Sequence, residues 1–320
     1  MHPLSKKKWL FAGAFGCLSL ALLAQEEPGA VFRSDTRLVV LHATVVDRNG
    51  QLIPNLRAES FTVLENGVPQ QLKVFRREDI AVSFGLVIDN SGSMRDKRKK
   101  VESAALQLVK GSSRTDEVFI VNFNDEAYLD VPMTSDMKKL DEGLTRIDSR
   151  GGTAMRDAIF MSLDYMREKA KKDKKILLVV TDGDDNTSSS SNTMEKLVTR
   201  AHQSEVLIYA IGLLDEEERG KAKRARRGLS ALAAASGGNA YFPEELEEVE
   251  RISQQVAQEI RNQYTLAYSP QLPDDGSFRQ IKVVVKGAGR ASVRTRSGYY
   301  ATKSSAISAS PAAASNSFQR

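Results

Sequence analysis

Five oxygen-bearing side chains, in three short motifs of this sequence, could bind a metal ion. Asp89, Ser91 and Ser93 stand directly after an apolar run, Thr153 follows two glycines, and Asp182 ends a second apolar run. Ligation by oxygen alone selects a hard cation. Hydroxyls with only two carboxylates suit Mg²⁺, which takes few direct protein ligands, with Mn²⁺ and Ca²⁺ as alternatives. The motifs therefore predict a cation site in which one coordination position can stay open for a carboxylate from outside.

Buried strands and the helices between them must position these side chains. From Val82 onward, apolar runs of strand length alternate with longer amphipathic segments, which predicts an α/β fold with a doubly wound, mostly parallel sheet. Such sheets bind ligands at the carboxyl ends of their strands, where Asp89 and Asp182 fall. The predicted strands are 83–88, 117–123, 175–181 and 206–211, with an antiparallel edge strand at 126–131. The predicted helices are 96–110, 136–147, 153–171, 193–204, 229–235 and 245–261.

Two β-rich segments flank this α/β unit of residues 81–261. Residues 31–80 contain the turn dipeptides Asn49-Gly50 and Asn66-Gly67, and residues 262–302 return to strand patterns. Because isolated hairpins are marginal and chain ends commonly lie close together, we expect the two segments to pair as one Ig-like sandwich. The small and polar residues at 303–320 predict a disordered tail.

The N-terminus has the order of a secretory signal peptide. Basic residues up to Lys8 precede the apolar run from Trp9 to Ala24, and polar residues follow it. The run is shorter than the ~20 residues that span a bilayer comfortably, so we expect residues 1–24 to be cleaved off. The chain is then exported, periplasmic or extracellular, and associates with a membrane only if the segment is retained. The one cysteine, Cys17, lies inside it, which excludes disulfides and thiolate metal sites from the rest of the chain.

The charge balance argues against a polyanionic partner. The chain has 46 basic and 41 acidic residues, and removal of residues 1–24 leaves 43 basic and the same 41 acidic ones. A charge this close to neutral gives no global attraction to nucleic acid. The strongest basic run, 221–227, follows the acidic residues 215–218 closely, so a solvated loop or helix is expected there. No nucleic-acid partner is predicted.

The common catalytic motifs are missing from the sequence. A serine hydrolase needs a histidine to activate its nucleophile, and His42 and His202 lie far along the chain from Ser91. No GxxxxGK[ST] phosphate loop or GxGxxG dinucleotide loop is present. We therefore expect a binding module that is not an enzyme. A metal-dependent hydrolase, and a structural envelope protein whose metal only stabilises it, are the alternatives.

Simpler roles exist for some of the polar residues. A capped helix start would explain Asp89 and its neighbouring serines, but capping does not require Thr153 and Asp182 as well. Asp184, Asp185 and Asn186 extend the acidic loop but miss two required positions of a calcium loop, so we expect them to be solvated. Asp157 lies one helical turn after Thr153, where orienting the site and capping the helix are equally compatible with the sequence.

The pattern DxSxS at 89–93, a separate Thr153 after Gly-Gly, and TDG at 181–183 together resemble the metal-ion-dependent adhesion site of von Willebrand factor type A domains. The resemblance covers about residues 80–261 and implies their Rossmann-like fold. It implies that Ser91 and Ser93 ligate the ion directly, and that Thr153 does so directly or through water. Asp89 and Asp182 would act mainly through water, and a protein partner would complete the shell with an Asp or Glu carboxylate.

The flanking segments carry a narrower resemblance. The motif FTVLENG at 61–67 and the motif GYY at 298–300 are similar to those of exported bacterial proteins that carry a "VWFA-related" domain.

Overall fold

The structure is a computed structural model that describes residues 38–302, apart from positions 78, 112, 114, 146–148, 184, 216 and 217. The predicted signal peptide, residues 1–24, and the predicted tail, residues 303–320, lie outside the described residues. Within the described ranges, none of the helices is both long enough and apolar enough to cross a membrane.

The described residues form fourteen strands and six α-helices. The strands are β1 (Val39–Val46), β2 (Phe61–Glu65), β3 (Val68–Gln70), β4 (Leu72–Arg76), β5 (Val82–Asp89), β6 (Glu117–Phe123), β7 (Ala127–Thr134), β8 (Lys174–Thr181), β9 (Val206–Gly212), β10 (Ala240–Tyr241), β11 (Tyr264–Tyr268), β12 (Phe278–Val285), β13 (Ser292–Arg294) and β14 (Gly298–Tyr300). The helices are α1 (Arg98–Lys110), α2 (Met137–Thr145), α3 (Met155–Lys169), α4 (Met194–Gln203), α5 (Arg219–Ser236) and α6 (Glu248–Arg261).

A six-stranded sheet of order β10-β9-β8-β5-β6-β7 forms the centre of the α/β unit. Its strands run parallel except β7, which pairs antiparallel with β6 at the edge. From β5 the chain passes to β6 on one side and later returns to β8 on the other. The strand order therefore reverses beside β5, which is where open α/β sheets bind ligands. The predicted fold class is confirmed.

Helices cover both faces of this sheet. Side chains of β5 alternate between the two faces, so Phe84, Leu86 and Ile88 join one core with α1, α2 and α6, while Val87 joins the other with α3, α4 and α5. Gly85 leaves room for the second core, because a Cβ there would lie 2.4 Å from both Leu177 Cδ2 and Phe119 Cζ.

The flanking segments pair with each other in two antiparallel sheets. One has the order β13-β1-β11-β4 and the other the order β14-β12-β2-β3. Val39 lies opposite Tyr268, and Val63 lies opposite Val283, so each sheet combines strands from both ends of the described chain. Inward-facing residues of both sheets form one shared core, which makes the pair a sandwich. The Asn66-Gly67 turn between β2 and β3 has positive φ angles of 49° and 82°.

A buried carboxylate joins the FTVLENG and GYY motifs in the fold. Glu65 accepts hydrogen bonds from the hydroxyls of Tyr268, at 2.5 Å, and Tyr299, at 2.9 Å. Arg279 lies 3.8 Å from the same carboxylate. Burial, followed by the bond to Glu65, raises the pKa of Tyr268 well above its ordinary value, so this tyrosine stays protonated as a donor.

Within the α/β unit, two elements differ clearly from the sequence prediction. Helix α5 begins at Arg219, ten residues before the predicted start at 229, because the basic run 221–227 is helical. Ala222, Ala225 and Leu229 are buried at helical spacing within it. The short strand β10, parallel to β9, was not predicted, because two residues are too few to show a period. The other helices begin and end within three residues of their predicted limits in the described ranges.

The end of α6 is bonded to the segment that leads into β5. The Arg261 guanidinium donates to Asp79 at 2.9 Å and to the Ile80 carbonyl at 3.4 Å. Two residues earlier, Glu259 accepts from Arg294 of β13 at 2.5 Å. These bonds hold the two ends of the α/β unit side by side and attach its last helix to the sandwich.

Candidate metal centre

Asp89 ends the central strand β5 with both carboxylate oxygens engaged. Oδ1 accepts from the Ser91 backbone at 2.8 Å, and Oδ2 accepts from the Thr181 hydroxyl at 2.6 Å. The residue is only 1% exposed, and burial raises its pKa to about 6 although both hydrogen bonds oppose the shift. A buried carboxylate of this kind is stabilised by a cation close by.

The two serines of the first loop and the aspartate after β8 form a continuous polar cluster. Ser91 Oγ lies 3.1 Å from Ser93 Oγ, and Ser93 Oγ donates to Asp182 Oδ1 at 3.0 Å. Neighbouring ligands of an octahedral Mg²⁺ with bonds of about 2.1 Å lie about 3 Å apart. The spacing of the two hydroxyls therefore fits two adjacent positions of a Mg²⁺ shell.

Backbone hydrogen bonds bring Thr153 to this cluster. Gly92 N donates to the Gly151 carbonyl at 3.1 Å, which joins the serine loop to the Gly-Gly turn. Thr153 N donates to Asn186 Oδ1 at 2.8 Å, and Asn186 N donates back to the Thr153 carbonyl at 3.0 Å. Within the described residues, the Thr153 hydroxyl makes no hydrogen bond to the other four predicted ligands, so it can still bind an ion or a water.

The Gly-Gly turn is shaped by Asp125, which the sequence analysis did not single out. Gly151 has a φ of +76°, and a Cβ there would lie 2.1 Å from Asp125 Oδ2. Gly152 N donates to Asp125 Oδ1 at 2.7 Å. The pair of glycines signalled a close approach, but nothing in the sequence showed that a carboxylate 27 positions away makes it.

Lys97 is a second residue that the sequence analysis did not single out. Its ammonium lies 2.9 Å from Asp182 Oδ2 and 3.1 Å from the Leu213 carbonyl. The Asp182 side chain is 2% exposed, so this buried carboxylate has a cationic partner on one oxygen and the Ser93 hydroxyl on the other. The lysine fixes the orientation of Asp182 and halves the negative charge of the two site carboxylates.

The expected solvation of the loop after β8 is wrong for Asp185. Its side chain is 3% exposed, accepts from Arg156 N at 2.6 Å and pairs with the Arg156 guanidinium. Asp157 accepts from Ser189 N at 2.9 Å. Both aspartates therefore tie this loop to the start of α3, which fixes Thr153 and Asp182 relative to each other.

The centre has one open side. Asp89, Ser91, Thr153 and Asp182 are buried, whereas Ser93 is exposed. A group from outside can therefore approach past Ser93. In the described part of the chain, no set of three or more His, Cys, Asp or Glu side chains is arranged to hold a metal, so a metal here needs hydroxyl ligands. The hydroxyls and carboxylates present have the oxygen chemistry that Mg²⁺ requires.

One protein-family model matches part of the chain. Residues 84–184 match the family model described as von Willebrand factor type A domain, and the matched segment contains all five predicted ligands. The chain contains a von Willebrand factor type A domain. No protein of curated function matches the chain.

Several solved structures are similar to part of the chain at low sequence identity. The conserved hypothetical protein BatB from Bacteroides thetaiotaomicron is 18% identical with a TM-score of 0.46, over 56% of this chain and 98% of that one. The vWF domain of the type V pili tip protein Mfa5 from Porphyromonas gingivalis is 13% identical with a TM-score of 0.43, over 57% and 97%. Proximal thread matrix protein 1 from the mussel byssus is 15% identical with a TM-score of 0.48, over 61% and 50%.

The two described histidines lie in other surroundings. His42 Nδ1 contacts Thr265 Oγ1 at 3.3 Å in the sandwich, and His202 Nδ1 contacts the Gly298 carbonyl at 3.3 Å. Neither forms a hydrogen bond with the site serines, so among the described residues no imidazole is placed to activate Ser91 or Ser93 in the type A domain.

Proposed function

We propose that the type A domain binds Mg²⁺ at this centre and uses the ion to hold a carboxylate of a protein partner. The observation that carries the proposal is the cluster of Ser91, Ser93 and Asp182 oxygens, spaced at 3.1 and 3.0 Å, with its exposed side at Ser93. Bound Mg²⁺ would supply a Lewis-acidic position for an Asp or Glu side chain.

The surrounding contacts support a distinct role for each residue. Ser91 and Ser93 would contact the ion directly, and Thr153 would contact it directly or through water. Asp89 has both oxygens engaged by protein donors, which favours contact through water. Asp182 Oδ1, already bonded to Ser93, would face the same shell.

The charge of the centre favours an anionic partner. Two carboxylates, the Lys97 ammonium and one divalent ion leave the centre with a single net positive charge. A partner carboxylate would neutralise that charge, and the complementarity would select acidic side chains at the contact. The ion is the attachment point in this proposal, and the domain is a binding module and not an enzyme.

We also propose that the chain works outside the cytoplasm. The support is the signal-peptide pattern of residues 1–24 and the lack of cysteine after it. A periplasmic or extracellular location supplies Mg²⁺ and exposes the centre to proteins of the cell envelope.

Calorimetric titration with Mg²⁺ tests the ion site. The variant carrying Ser91→Ala and Ser93→Ala should lose at least about tenfold in Mg²⁺ affinity, since two direct ligands are removed. The matched control carries Ser189→Ala and Ser191→Ala, an exposed serine pair of the same spacing whose hydroxyls lie 2.8 Å apart but which contacts no predicted ligand. Equal Mg²⁺ binding by all three proteins would refute the site.

Capture of exported proteins tests the partner. The same three proteins, with Mg²⁺ and with EDTA, should differ in one way: a partner is retained only by the wild type and the control, and only with Mg²⁺. Asp89→Ala then separates the alternatives. If the domain is a binding module, the variant should lose partner binding; if it is a hydrolase, the variant should lose turnover. If the metal is only structural, the variant should lose thermal stability alone. Capture of the same proteins under all conditions would refute the proposal that the ion holds the partner.

A further inference from the structure

A large cavity lies at the edge of the α/β unit opposite the metal centre. Its volume is about 590 Å³, within the range of small-molecule sites. The outer face of the sheet β13-β1-β11-β4 forms one wall. The amino ends of β8 and β9, with the turns that precede them, form the other.

The sheet wall consists of two cross-strand rows of different chemistry. Val40, Ala267 and Val74 lie opposite one another on β1, β11 and β4 and form an apolar row. Leu38, two residues before Val40, adds to this apolar surface. The residues Leu38 and Val40 are 40% and 39% exposed. Large apolar side chains are half exposed here on a face turned away from the sandwich core, so the row is a surface on which an alkyl chain can pack.

The rest of the cavity lining carries most of its charge, and that charge is positive. His42, Thr265 and Arg76 form the second row. Five cationic side chains line the cavity against two acidic ones, Asp173 and Glu205. The cationic residues are Arg76, Lys171, Lys172, Lys175 and Arg296.

Most of these cations have no acidic partner of their own. Within the described residues, none of Arg76, Lys171, Lys172 and Lys175 makes an ion pair within 4.0 Å. Cations near the end of α3 are favoured by the helix dipole, but the dipole does not explain Arg76, which lies on the sheet wall beside the apolar row.

His42 adds no positive charge to the cavity lining. Burial, and then the charges of Lys174 and Arg296, lower its pKa to about 3. The imidazole is therefore neutral at pH 7, and an anion placed beside it would meet no opposing charge from this side chain.

We propose that this cavity binds a free amphipathic anion, an alkyl chain that ends in a carboxylate. The alkyl chain would lie along Val40, Ala267 and Val74, and the carboxylate would lie between Lys172, Lys175 and Arg76. A free molecule suits the site better than a bilayer, because the apolar row lies in a groove between two walls. This site is separate from the metal centre and does not depend on it.

Calorimetry with decanoate, below its micelle concentration, tests the proposal. Decanoate should bind at least about tenfold more tightly than hexanoate, because each additional buried methylene adds affinity. Decyltrimethylammonium, with the same chain and the opposite charge, should show no measurable binding. Equal binding of decanoate and decyltrimethylammonium would overturn the anionic part of the proposal, and equal binding of hexanoate would overturn the alkyl part.

Variants locate the binding. Lys172→Gln with Lys175→Gln should weaken decanoate binding about tenfold, whereas Lys169→Gln with Lys223→Gln, exposed lysines outside the cavity, should leave it unchanged. Val40→Ser should weaken it, and Val68→Ser, exposed on another sheet, should not. Circular dichroism and urea unfolding of each variant serve as the folding control, so the test does not depend on the metal centre. Unchanged decanoate binding in both cavity variants, or binding to phosphatidylglycerol vesicles without binding of free decanoate, would overturn the proposal.

Discussion

Lys97 is the residue whose charge most directly affects the metal centre. Its ammonium and an incoming Mg²⁺ would share the carboxylate of Asp182, and two such cations a few ångströms apart repel by about 1–2 kcal/mol even at the dielectric constant of water. We therefore expect Lys97→Met to bind Mg²⁺ about tenfold more tightly than the wild type, measured by calorimetry.

The matched control for this prediction is Lys100→Met. Lys100 lies three residues later, in the first turn of α1, and pairs with Glu247 at 3.7 Å, away from the predicted ligands. It should leave the Mg²⁺ affinity unchanged. A loss of affinity in Lys97→Met would mean instead that the lysine serves mainly to orient Asp182.

His42 makes folding stability depend on pH. Its pKa is about 3 in the folded protein and 6.5 in the unfolded chain, so the unfolded chain takes up the proton first as the pH falls. The stability that the neutral imidazole allows is present above pH 6.5 and is lost progressively toward pH 3. Relative to the wild type, His42→Gln should gain about 1–2 kcal/mol in free energy of unfolding between pH 7 and pH 5, measured with urea. A difference that stays constant over this interval would contradict the assignment.

At the residue scale, the sequence predicted which oxygen side chains lie near one another, but not the residues that pair with them. Asp89, Ser91 and Ser93 are close in the chain, and the ends of parallel strands bring Asp182 to the same edge. Lys97 and Asp125 could not be predicted, because contacts across 85 and 27 positions depend on side-chain directions that no local pattern encodes.

At the scale of elements, the packing around β5 requires a residue without a side chain at position 85, which is Gly85. A Cβ at this position would lie 2.4 Å from Leu177 and Phe119, both fully buried. Gly85→Ala should lower the free energy of unfolding by about 1–3 kcal/mol, because the packed core must shift to make room. Urea unfolding measures this loss.

Gly220→Ala is the control, since the nearest heavy atom to its Cβ is 4.0 Å away on the surface of α5. It should leave stability unchanged or raise it by up to about 1 kcal/mol, as alanine favours helix over glycine. Equal losses in the two variants would show that Gly85 matters for its backbone and not for packing space.

The elements of the α/β unit were predictable because strands buried on both faces appear as continuous apolar runs. The start of α5 was not, because its buried face at Ala222 and Ala225 consists of small residues within a basic run. Alanine contributes little to a hydrophobic period, so the charges concealed the helix.

At the scale of the whole molecule, the sandwich depends on strands from both ends of the described chain. A chain that stops at Asn262 would lack β11 and β12, the partners of β1 and β2. We expect residues 38–76 of that truncated protein to be cut rapidly in limited proteolysis, since their backbone groups and core face lose their partners. A chain that stops at Thr302 should resist the protease like the full chain. Resistance of residues 38–76 in the shorter chain would contradict this dependence.

The bonds from Arg261 to Asp79 and Ile80 also bear on the order of events in folding. Thr44 and Gln263 are hydrogen-bonded across 219 positions, and closing a flexible loop of that length costs about 5 kcal/mol in chain entropy. If the α/β unit folds first, Arg261 already holds its two ends together, and only short stretches remain to be closed. In that order of folding, β1 leaves the ribosome before every other strand of the described chain, but its sheet is completed after the α/β unit that follows it.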